Sequence, residues 1–546
     1  MRIWLAGAAI ALIPLATSAD PEAARPAGHI CAVAPPGAGE APAQALLAGY
    51  GTGGFAIRTA SPRAQAYFDN GMQLAHAFAH QPATAAFQEA ERLDPGCAMC
   101  VWGEAWSRGP TLNYTIDARG QAQAQALADK AAALAKDGPP LERQLTAALQ
   151  ARYHDGGGMG AGDYAFARAM DEIAKARPTD NEVAILTADA WMIPASHKDN
   201  RDNLPHAIAL LQGALARRPN DTGAIHFYIH ATENDGVAAE ALPYAEKLQA
   251  LAPAASHLVH MPSHTYYRVG MYEAAVRANL DATRIDEANA ARLQLRDGVW
   301  GLNYHAHNVQ FGTDAALMDG DAAAALKLAD GVVARLAKPP ISAQDLRIAA
   351  TAYFAEGRYA DPAKVLALPP PAPGAPVLAA AWHYARGEAF ARQGHPAGAL
   401  FEAMMIQQLA AKAPLSGAPQ AMLGIPRQVL LGRTEMLQGH PDKAVQPFRE
   451  AAELQERLLA GQADPPPWWY PVRRSLAAAL LASGKPTEAL AETQKVLAGW
   501  PGDPMTLVIA ARAQTALGHR DAARRDTAEA RKGWRGDPTA ASTALL

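Results

Sequence analysis

From residue 61 onward, apolar residues recur at intervals of three and four along nearly the whole chain. This spacing places them on one face of a helix, and runs with the alternating pattern of strands are scarce. Glycine-containing stretches separate the helical segments, as in QGHPDKA at Gly439 and SGKPTEA at Gly484. A glycine that ends one helix ahead of the next amphipathic segment is typical of helix termini. The pattern predicts an all-α protein.

The helical segments repeat at a fixed interval. A helix ending near Pro219 is followed 34 residues later by one ending near Pro253. The glycines at 484 and 518 are also 34 residues apart. Self-similarity at this period indicates stacked supersecondary units. The chain resembles the tetratricopeptide repeat (TPR) family over most of residues 61–535, and the resemblance implies a TPR-like α-solenoid of stacked helical hairpins.

The N-terminus and one stretch in the middle of the chain differ in composition from the helical segments. The first residues combine Arg2, an apolar stretch and small residues before Asp20, which is typical of an export signal. The stretch PPPAPGAP indicates a stiff extended linker. We expect five segments: 1–19, a signal peptide; 20–60, an irregular N-terminal arm; 61–368, an N-terminal TPR-like half with a His-rich groove; 369–376, a Pro-rich linker; and 377–546, a C-terminal TPR-like half.

Charge and hydropathy exclude several classes of partner. The formal net charge is −4 over 546 residues, and no block of Lys or Arg stands out. Nucleic acid and anionic membrane surfaces are therefore not expected partners. No long uncharged apolar run follows the predicted signal, so we expect no membrane span after its cleavage. The predicted location is the periplasm or the outside of the cell.

Three cysteines are present, at Cys31, Cys97 and Cys100. In an oxidising compartment, one disulfide and one further thiol is the simplest arrangement. The sequence CAMC leaves three possibilities open: a local disulfide, a bridge from Cys31 to one of the pair, or a soft metal site.

Histidines concentrate in the middle of the chain, where HFYIH is followed by HLVHMPSH. His226 and His260 are 34 residues apart, so they occupy the same position in successive repeats. The same holds for His230 and His264. Residues four apart share a helix face, and packed helices lie about 8–10 Å apart, a distance that two imidazoles can span around one ion. The spacing predicts a metal centre that spans two hairpins and lines the concave groove.

Two further residues join the candidate ligands. Glu233 follows His230 by three residues on the same helical face. In YHAHN, His305 and His307 cannot share a face, and we favour His307 because Asn308 beside it could orient a ligand ring. The predicted metal ligands are His226, His230, Glu233, His257, His260, His264 and His307. The alternative is a set of buried histidines and tyrosines bridged by water.

A closer resemblance supports the same residues. The motifs HFYIHATEN, HLVHMPSHTYYRVGMY and YHAHN, with CAMCVWGEAWSRGPTLN and PPPWWYPVRRSL, resemble an exported bacterial TPR subgroup with HxxxHxxE and HLVHMPSH motifs. The resemblance runs from about Ala64 to the C-terminus and implies that the seven predicted ligands are the residues of interest, but it brings no established reaction with it. The chain departs from the subgroup after the HxxxHxxE pattern, where NDG replaces a longer acidic and serine-containing segment. That departure leaves the role of Glu233 open.

The candidate ligands indicate the kind of metal and three classes of function. Imidazoles with few carboxylates favour copper, zinc, iron or nickel over calcium or magnesium, and copper or zinc is expected in an export compartment. The site then belongs to a metal-dependent enzyme acting on a small molecule, to a scaffold whose groove binds a peptide or protein partner, or to a periplasmic metal carrier. No GxSxG or HExxH motif is present, so catalytic residues stay unassigned and enzyme activity is left open.

Overall fold

A computed structural model describes residues 45–154, 160–198, 201–336, 343–412, 415–459 and 465–536. Within these ranges the chain is helical, and they contain no β-strand. The predicted signal peptide, Cys31 and the first part of the predicted arm lie outside the described residues.

The helices follow one another with short connections. The first thirteen are α1 (Pro62–His76), α2 (His80–Leu93), α3 (Ala98–Ser107), α4 (Ala118–Ala135), α5 (Pro140–His154), α6 (Ala161–Ala176), α7 (Asn181–Lys198), α8 (Leu204–Arg217), α9 (Thr222–Asp235), α10 (Leu242–Leu251), α11 (Ser256–His260), α12 (Pro262–Arg268) and α13 (Tyr272–Arg292). They continue with α14 (His305–Asp319), α15 (Ala322–Leu336), α16 (Ala343–Tyr359), α17 (Pro362–Leu366), α18 (Pro376–Arg392), α19 (Pro396–Lys412), α20 (Gly417–Leu437), α21 (Pro441–Leu458), α22 (Arg473–Ala482), α23 (Pro486–Gly499), α24 (Pro504–Ala516) and α25 (Arg520–Lys532). Short 3-10 helices lie at Ala238–Ala241 and Gly298–Gly301.

Neighbouring helices pack as stacked hairpins. Helices that are adjacent in sequence contact each other along the array, and alternate helices such as α3 and α5 or α18 and α20 also meet. This arrangement, in which each unit contacts mainly its neighbours, defines a solenoid. The predicted all-α, TPR-like α-solenoid is therefore confirmed.

The array also curls back on itself, which brings distant helices together. Helix α1 packs against α9. The two helices lie close together at Gly223 on α9, since a Cβ added there would be only 3.1 Å from Cγ of His76. A second closure joins the middle of the chain to its C-terminal part, where the hydroxyl of Tyr267 donates to the carbonyl oxygen of Trp469 at 3.1 Å.

Two large hydrophobic clusters make up most of the core. One runs from Tyr50 to Tyr304 and the other from Tyr267 to Ala513. Trp468 and Trp469 of the PPPWWYP stretch are buried in the second cluster, so they pack the interior. Helix α16, which precedes α17 and the predicted linker at 369–376, contacts α18, which follows them, and both helices share this cluster. The division into two halves at that linker stays a prediction.

Local sequence signals set the ends of the histidine-bearing helices. Asp221 caps the start of α9 by accepting from the backbone N–H of Ala224, and Gly236, with φ 84°, ends it in the left-handed conformation. Pro262 has no backbone N–H, so the histidine stretch divides into α11, ending at His260, and α12, beginning at Pro262.

The described part of the predicted arm, residues 45–60, packs on the solenoid without forming a helix. The backbone N–H of Thr52 donates to the hydroxyl of Thr222 at 2.7 Å, and that of Ala254 donates to the carbonyl oxygen of Gly49 at 3.0 Å. Cys97 and Cys100 form a local disulfide at the start of α3. In the described ranges, no helix combines the length and the apolar character needed to cross a membrane.

Candidate metal centre

Six of the seven predicted ligands lie in two groups of three buried histidines. The first triad is His226 and His230 from α9 with His257 from α11, and the second is His260 from α11, His264 from α12 and His307 from α14. In each triad, one ring nitrogen per histidine lies within 4.8 Å of those of the other two. The rings of His230 and His264 connect the triads, with centroids 5.4 Å apart.

The second triad places two unprotonated nitrogens face to face. Nε2 of His260 and Nε2 of His264 are 2.9 Å apart. Nδ1 of His264 donates to the Oε2 carboxylate oxygen of Glu233 at 2.6 Å. Nδ1 of His260 donates to the Oδ1 amide oxygen of Asn279, also at 2.6 Å. Since a neutral imidazole carries one hydrogen, both Nε2 atoms then present lone pairs to each other.

The orientation of the Asn279 amide is itself fixed. Its Nδ2 group donates to the carbonyl oxygen of Ala275 at 2.8 Å, so that Oδ1 is the atom turned toward His260. Two lone pairs at 2.9 Å repel each other unless a cation lies between them. Imidazole nitrogens bound at 2.0–2.1 Å to one ion are separated by about 2.9–3.4 Å for bond angles between octahedral and tetrahedral values. The separation of His260 and His264 therefore fits a shared metal ion.

The first triad has a similar but less constrained arrangement. Nδ1 of His226 donates to the carbonyl oxygen of His76 at 2.6 Å, which leaves Nε2 as the acceptor atom. That Nε2 lies 3.1 Å from Nε2 of His257. Neither ring nitrogen of His230 has a hydrogen-bond partner, although the ring is fully buried. A buried polar group without a partner is costly, so this triad also presents nitrogens suited to an ion.

Glu233 lies behind the second triad. Its two carboxylate oxygens accept from Nδ1 of His264 and from Nε of Arg268, the latter at 2.9 Å. The carboxylate therefore orients a candidate ligand and is not itself in either triad. The role predicted for Glu233 as a direct ligand stays a prediction.

The residues of the YHAHN motif separate as helical geometry requires. His307 belongs to the second triad, whereas His305 lies outside both and pairs through Nδ1 with Asp286 at 3.0 Å. The Nδ2 group of Asn308 donates to the same carboxylate at 2.9 Å. Asn308, predicted to orient a ligand, thus contacts Asp286.

Burial keeps the cluster in the neutral form that binds metals. Desolvation lowers the pKa of His226 to about 3 and that of His260 to about 4. It also lowers the pKa of His230, His257 and His264 well below the usual value of an imidazole. Metal binding needs a free nitrogen lone pair, so these imidazoles are ready to bind without losing a proton at neutral pH.

The centre is enclosed by the surrounding helices. None of the six histidines is more than 3% exposed. Phe78 contacts the first triad, with ring centroids 4.4 Å from His226 and 5.1 Å from His257. Phe311 contacts the second triad at 4.6 Å from His264. Aromatic rings thus pack directly against both triads.

Phe78 reaches this position in an uncommon backbone conformation. Its φ is 54°, in the left-handed region that non-glycine residues rarely adopt. The residue stands between α1 and α2, immediately after the α1 helix that packs against α9. Such strain persists only where the surrounding structure holds it, and Phe78 is held with its ring against His226 and His257.

The fold also brings to the centre residues outside the seven predicted ligands, among them His76, Phe78, His80, Asn279 and Tyr304. The i, i+4 pair in LAHAFAH was a visible signal, yet its repeat is remote along the chain. The ring of Tyr304 lies 4.1 Å from that of His257, and its hydroxyl accepts from Nδ2 of Asn113 at 2.6 Å. His76 pairs through Nε2 with Glu182.

Comparisons with known proteins add little to this geometry. No protein-family model matches the chain, and no curated protein matches it. Among solved structures, it is similar to a human IFIT1 dimer with m7Gppp-AAAA, at 12% identity over 87% of this chain and 91% of that chain, with a TM-score of 0.33. A human IFIT1 dimer with PPP-AAAA matches at 14% identity over the same shares, with a TM-score of 0.32. Likenesses this distant carry no argument about function.

Proposed function

We propose that this chain is an exported TPR-like protein that binds two transition-metal ions, one in each histidine triad, and that it is a metal-dependent enzyme acting on a small molecule. The observation that carries the proposal is the pair of opposed Nε2 atoms of His260 and His264, 2.9 Å apart. Because Glu233 and Asn279 occupy the Nδ1 atoms, a hydrogen bond between these nitrogens has no hydrogen to use.

The composition of the triads favours copper over zinc and iron. Each triad consists of three neutral imidazoles and contains no carboxylate. Two divalent ions would bring four positive charges into a buried site without an anionic ligand, which is costly. Monovalent copper halves this charge and accepts imidazole ligands. When bound, such ions supply Lewis-acid or one-electron redox chemistry.

The enclosure of the site favours an enzyme over a carrier or a scaffold. A carrier must release its ion readily, yet all six histidines are buried beneath aromatic rings. A scaffold would use the histidines to shape an exposed groove, which burial also opposes. An enzyme benefits from excluded water and needs an adjoining space for its substrate. Such a space borders His257.

Export supplies the setting for this function. A signal peptide at residues 1–19 would deliver the chain to the periplasm or outside the cell. The Cys97–Cys100 disulfide supports this location, because disulfides persist in oxidising compartments. Mass spectrometry of the secreted or periplasmic protein should give a mature N-terminus at Asp20. An intact N-terminus at Met1 on protein recovered from the cytoplasm would contradict export.

Metal analysis tests the proposal directly. The mature protein, loaded with Cu(I) under anaerobic conditions or with Zn²⁺ and then desalted, should retain two ions per chain. His230→Ala should lose the ion of the first triad, and His264→Ala that of the second. His206→Ala is the control, because His206 is exposed and pairs with Asp171 away from the centre. Wild-type protein that retains no copper, zinc or iron would contradict the proposal. So would a loss of ions in the His206→Ala control equal to that in the triad variants.

A further inference from the structure

A cavity of about 70 Å³ borders the first triad at His257. The centre of each water molecule needs roughly 10–15 Å³ of such a volume, so the cavity has room for roughly five water molecules. One small ring-shaped molecule would occupy a similar space. Its lining residues include Tyr50, Phe78, His80, His257, Asn303 and Tyr304. The cavity therefore gives a small molecule a position beside a candidate metal ligand.

His80 is the polar group in this cavity that most needs a partner. The side chain is 5% exposed, and neither Nδ1 nor Nε2 has a hydrogen-bond partner. Its ring stacks on Phe78 with centroids 5.2 Å apart, which fixes its position in the wall. Nδ1 of His257 is a second buried nitrogen without a partner. Since buried polar groups in folded proteins are nearly always satisfied, these atoms point to a ligand that forms hydrogen bonds.

The cavity wall favours an uncharged ligand. Burial lowers the pKa of His80 to about 3, so that the ring is neutral and can donate through one nitrogen and accept through the other. Asp286 is the only acidic residue in the lining, and its carboxylate already accepts from His305 and Asn308. Neither Lys nor Arg lines the cavity. The lining therefore offers no positively charged side chain to an anionic ligand, and its one carboxylate is already paired with His305 and Asn308.

The remaining wall favours a planar ring. Phe78 and Tyr304 both line the cavity, with centroids 6.0 Å apart and planes inclined at 29°. The ring of His257 packs against both of them. Aromatic walls contact a flat aromatic molecule over a larger area than a puckered ring, and they add favourable ring–ring geometry.

We infer that this cavity binds a small neutral phenol, with its hydroxyl hydrogen-bonded to His80 and its ring against Phe78 and Tyr304. The ligand then lies next to the ion held by His226, His230 and His257. This position next to a metal ion rests on the proposed function. The contacts of the phenol with His80 and the aromatic wall are independent of the metal.

Calorimetric titration with phenol tests the inference on both metal-free and metal-loaded full-length protein. We expect saturable binding with one phenol per chain. Cyclohexanol, which keeps the hydroxyl but is not planar, and toluene, which keeps the ring but lacks the hydroxyl, should each bind about tenfold more weakly. Equal binding of all three compounds, or no saturable binding of phenol, would overturn the inference.

Two variants of His80 make the test specific. His80→Phe should weaken phenol binding about tenfold because the hydrogen bond is lost, whereas His80→Asn, which keeps a donor and an acceptor, should weaken it less. The control is His395→Phe, since His395 is exposed and lies far along the chain on the C-terminal side. Circular dichroism verifies the fold of each variant. Wild-type affinity in a folded His80→Phe protein would overturn the inference.

The outcomes separate this inference from the proposed function. Phenol binding that depends on His80 in a protein that retains no metal would uphold the cavity site and remove the metal centre. Two retained ions without phenol binding would uphold the metal centre and remove the phenol site.

Discussion

Nε2 of His260 lies 2.9 Å from Nε2 of His264, and both rings have their hydrogen on the opposite nitrogen. The pairing depends on two acceptors held by other helices: Glu233 on α9 and Asn279 on α13. Folding therefore fixes which nitrogen of each ring is free before any ion binds. Such preorganisation is the feature that separates a metal site from a chance cluster of histidines.

Glu233→Gln should weaken the second triad and leave the first unchanged. The substitution keeps a hydrogen-bond acceptor for His264 but removes the negative charge that raises the basicity of the ring and pairs with Arg268. Loss of such a supporting partner typically lowers metal affinity by about 10–100-fold. Competition with a chelator of known affinity measures the change for each ion.

The control for this variant is Glu273→Gln, because Glu273 forms an exposed pair with Arg277. An unchanged affinity in Glu233→Gln, or an equal loss in both variants, would show that the carboxylate does not support the site.

The stability of the metal-free protein should fall as the pH is lowered from about 7 to about 4. Burial lowers the pKa of His226 to about 3 and that of His260 to about 4, while an unfolded histidine titrates near 6.5. Between these values the unfolded chain binds more protons than the folded one, so acid favours unfolding. Each such group contributes up to about 1.4 kcal/mol per pH unit.

One neighbouring histidine acts in the opposite direction. Burial lowers the pKa of His76, but the carboxylate of Glu182 outweighs this effect, so the pKa is raised overall. Its contribution to stability is present at low pH and is lost as the pH rises through the raised value. Urea unfolding at several pH values measures the balance. A free energy of unfolding that stays constant over this range would contradict the neutral, buried state of the cluster.

Gly223→Ala should separate α1 from α9. The new Cβ would lie 3.1 Å from Cγ of His76, and overpacking of this kind costs about 1–3 kcal/mol. Because the carbonyl oxygen of His76 holds Nδ1 of His226, affinity for the first ion should also decrease. Thermal unfolding and metal competition measure the two effects.

Gly331→Ala provides the matched comparison. Gly331 is also a helical glycine, but a Cβ there meets no atom within 4 Å, so its replacement should stabilise the protein by about 0.5–1 kcal/mol. If Gly223→Ala were stabilising to the same extent, the close contact between α1 and α9 would be wrong.

Much of this site follows from local sequence, and the remainder depends on the fold as a whole. The spacing of four and the 34-residue repeat identified the histidines of α9, α11 and α12, because both patterns reflect helix geometry. The division into triads was not predictable, since it depends on the break at Pro262 and on where α14 packs. The positions of Phe78 and His80 beside the histidines could not be predicted. They depend on the contact between α1 and α9, which forms only because the stacked helices between these two curve back.

Phe78→Gly should accelerate the loss of the first ion. Glycine adopts the φ of 54° without strain, so the backbone is expected to tolerate the change. Removal of the ring opens a path to His257 and His226, both of which it contacts. Stopped-flow measurement of ion transfer to excess chelator should show release about tenfold faster than in the wild type. The reason is that the apolar ring no longer limits access of solvent and chelator to the ion. An unchanged release rate would show that Phe78 does not enclose the centre.

The most direct measurement is anomalous diffraction from crystals of the copper-loaded protein, recorded on both sides of the copper edge. The account predicts two peaks, one within bonding distance of nitrogens from His226, His230 and His257 and one within bonding distance of nitrogens from His260, His264 and His307. A map without a peak at either triad would contradict it.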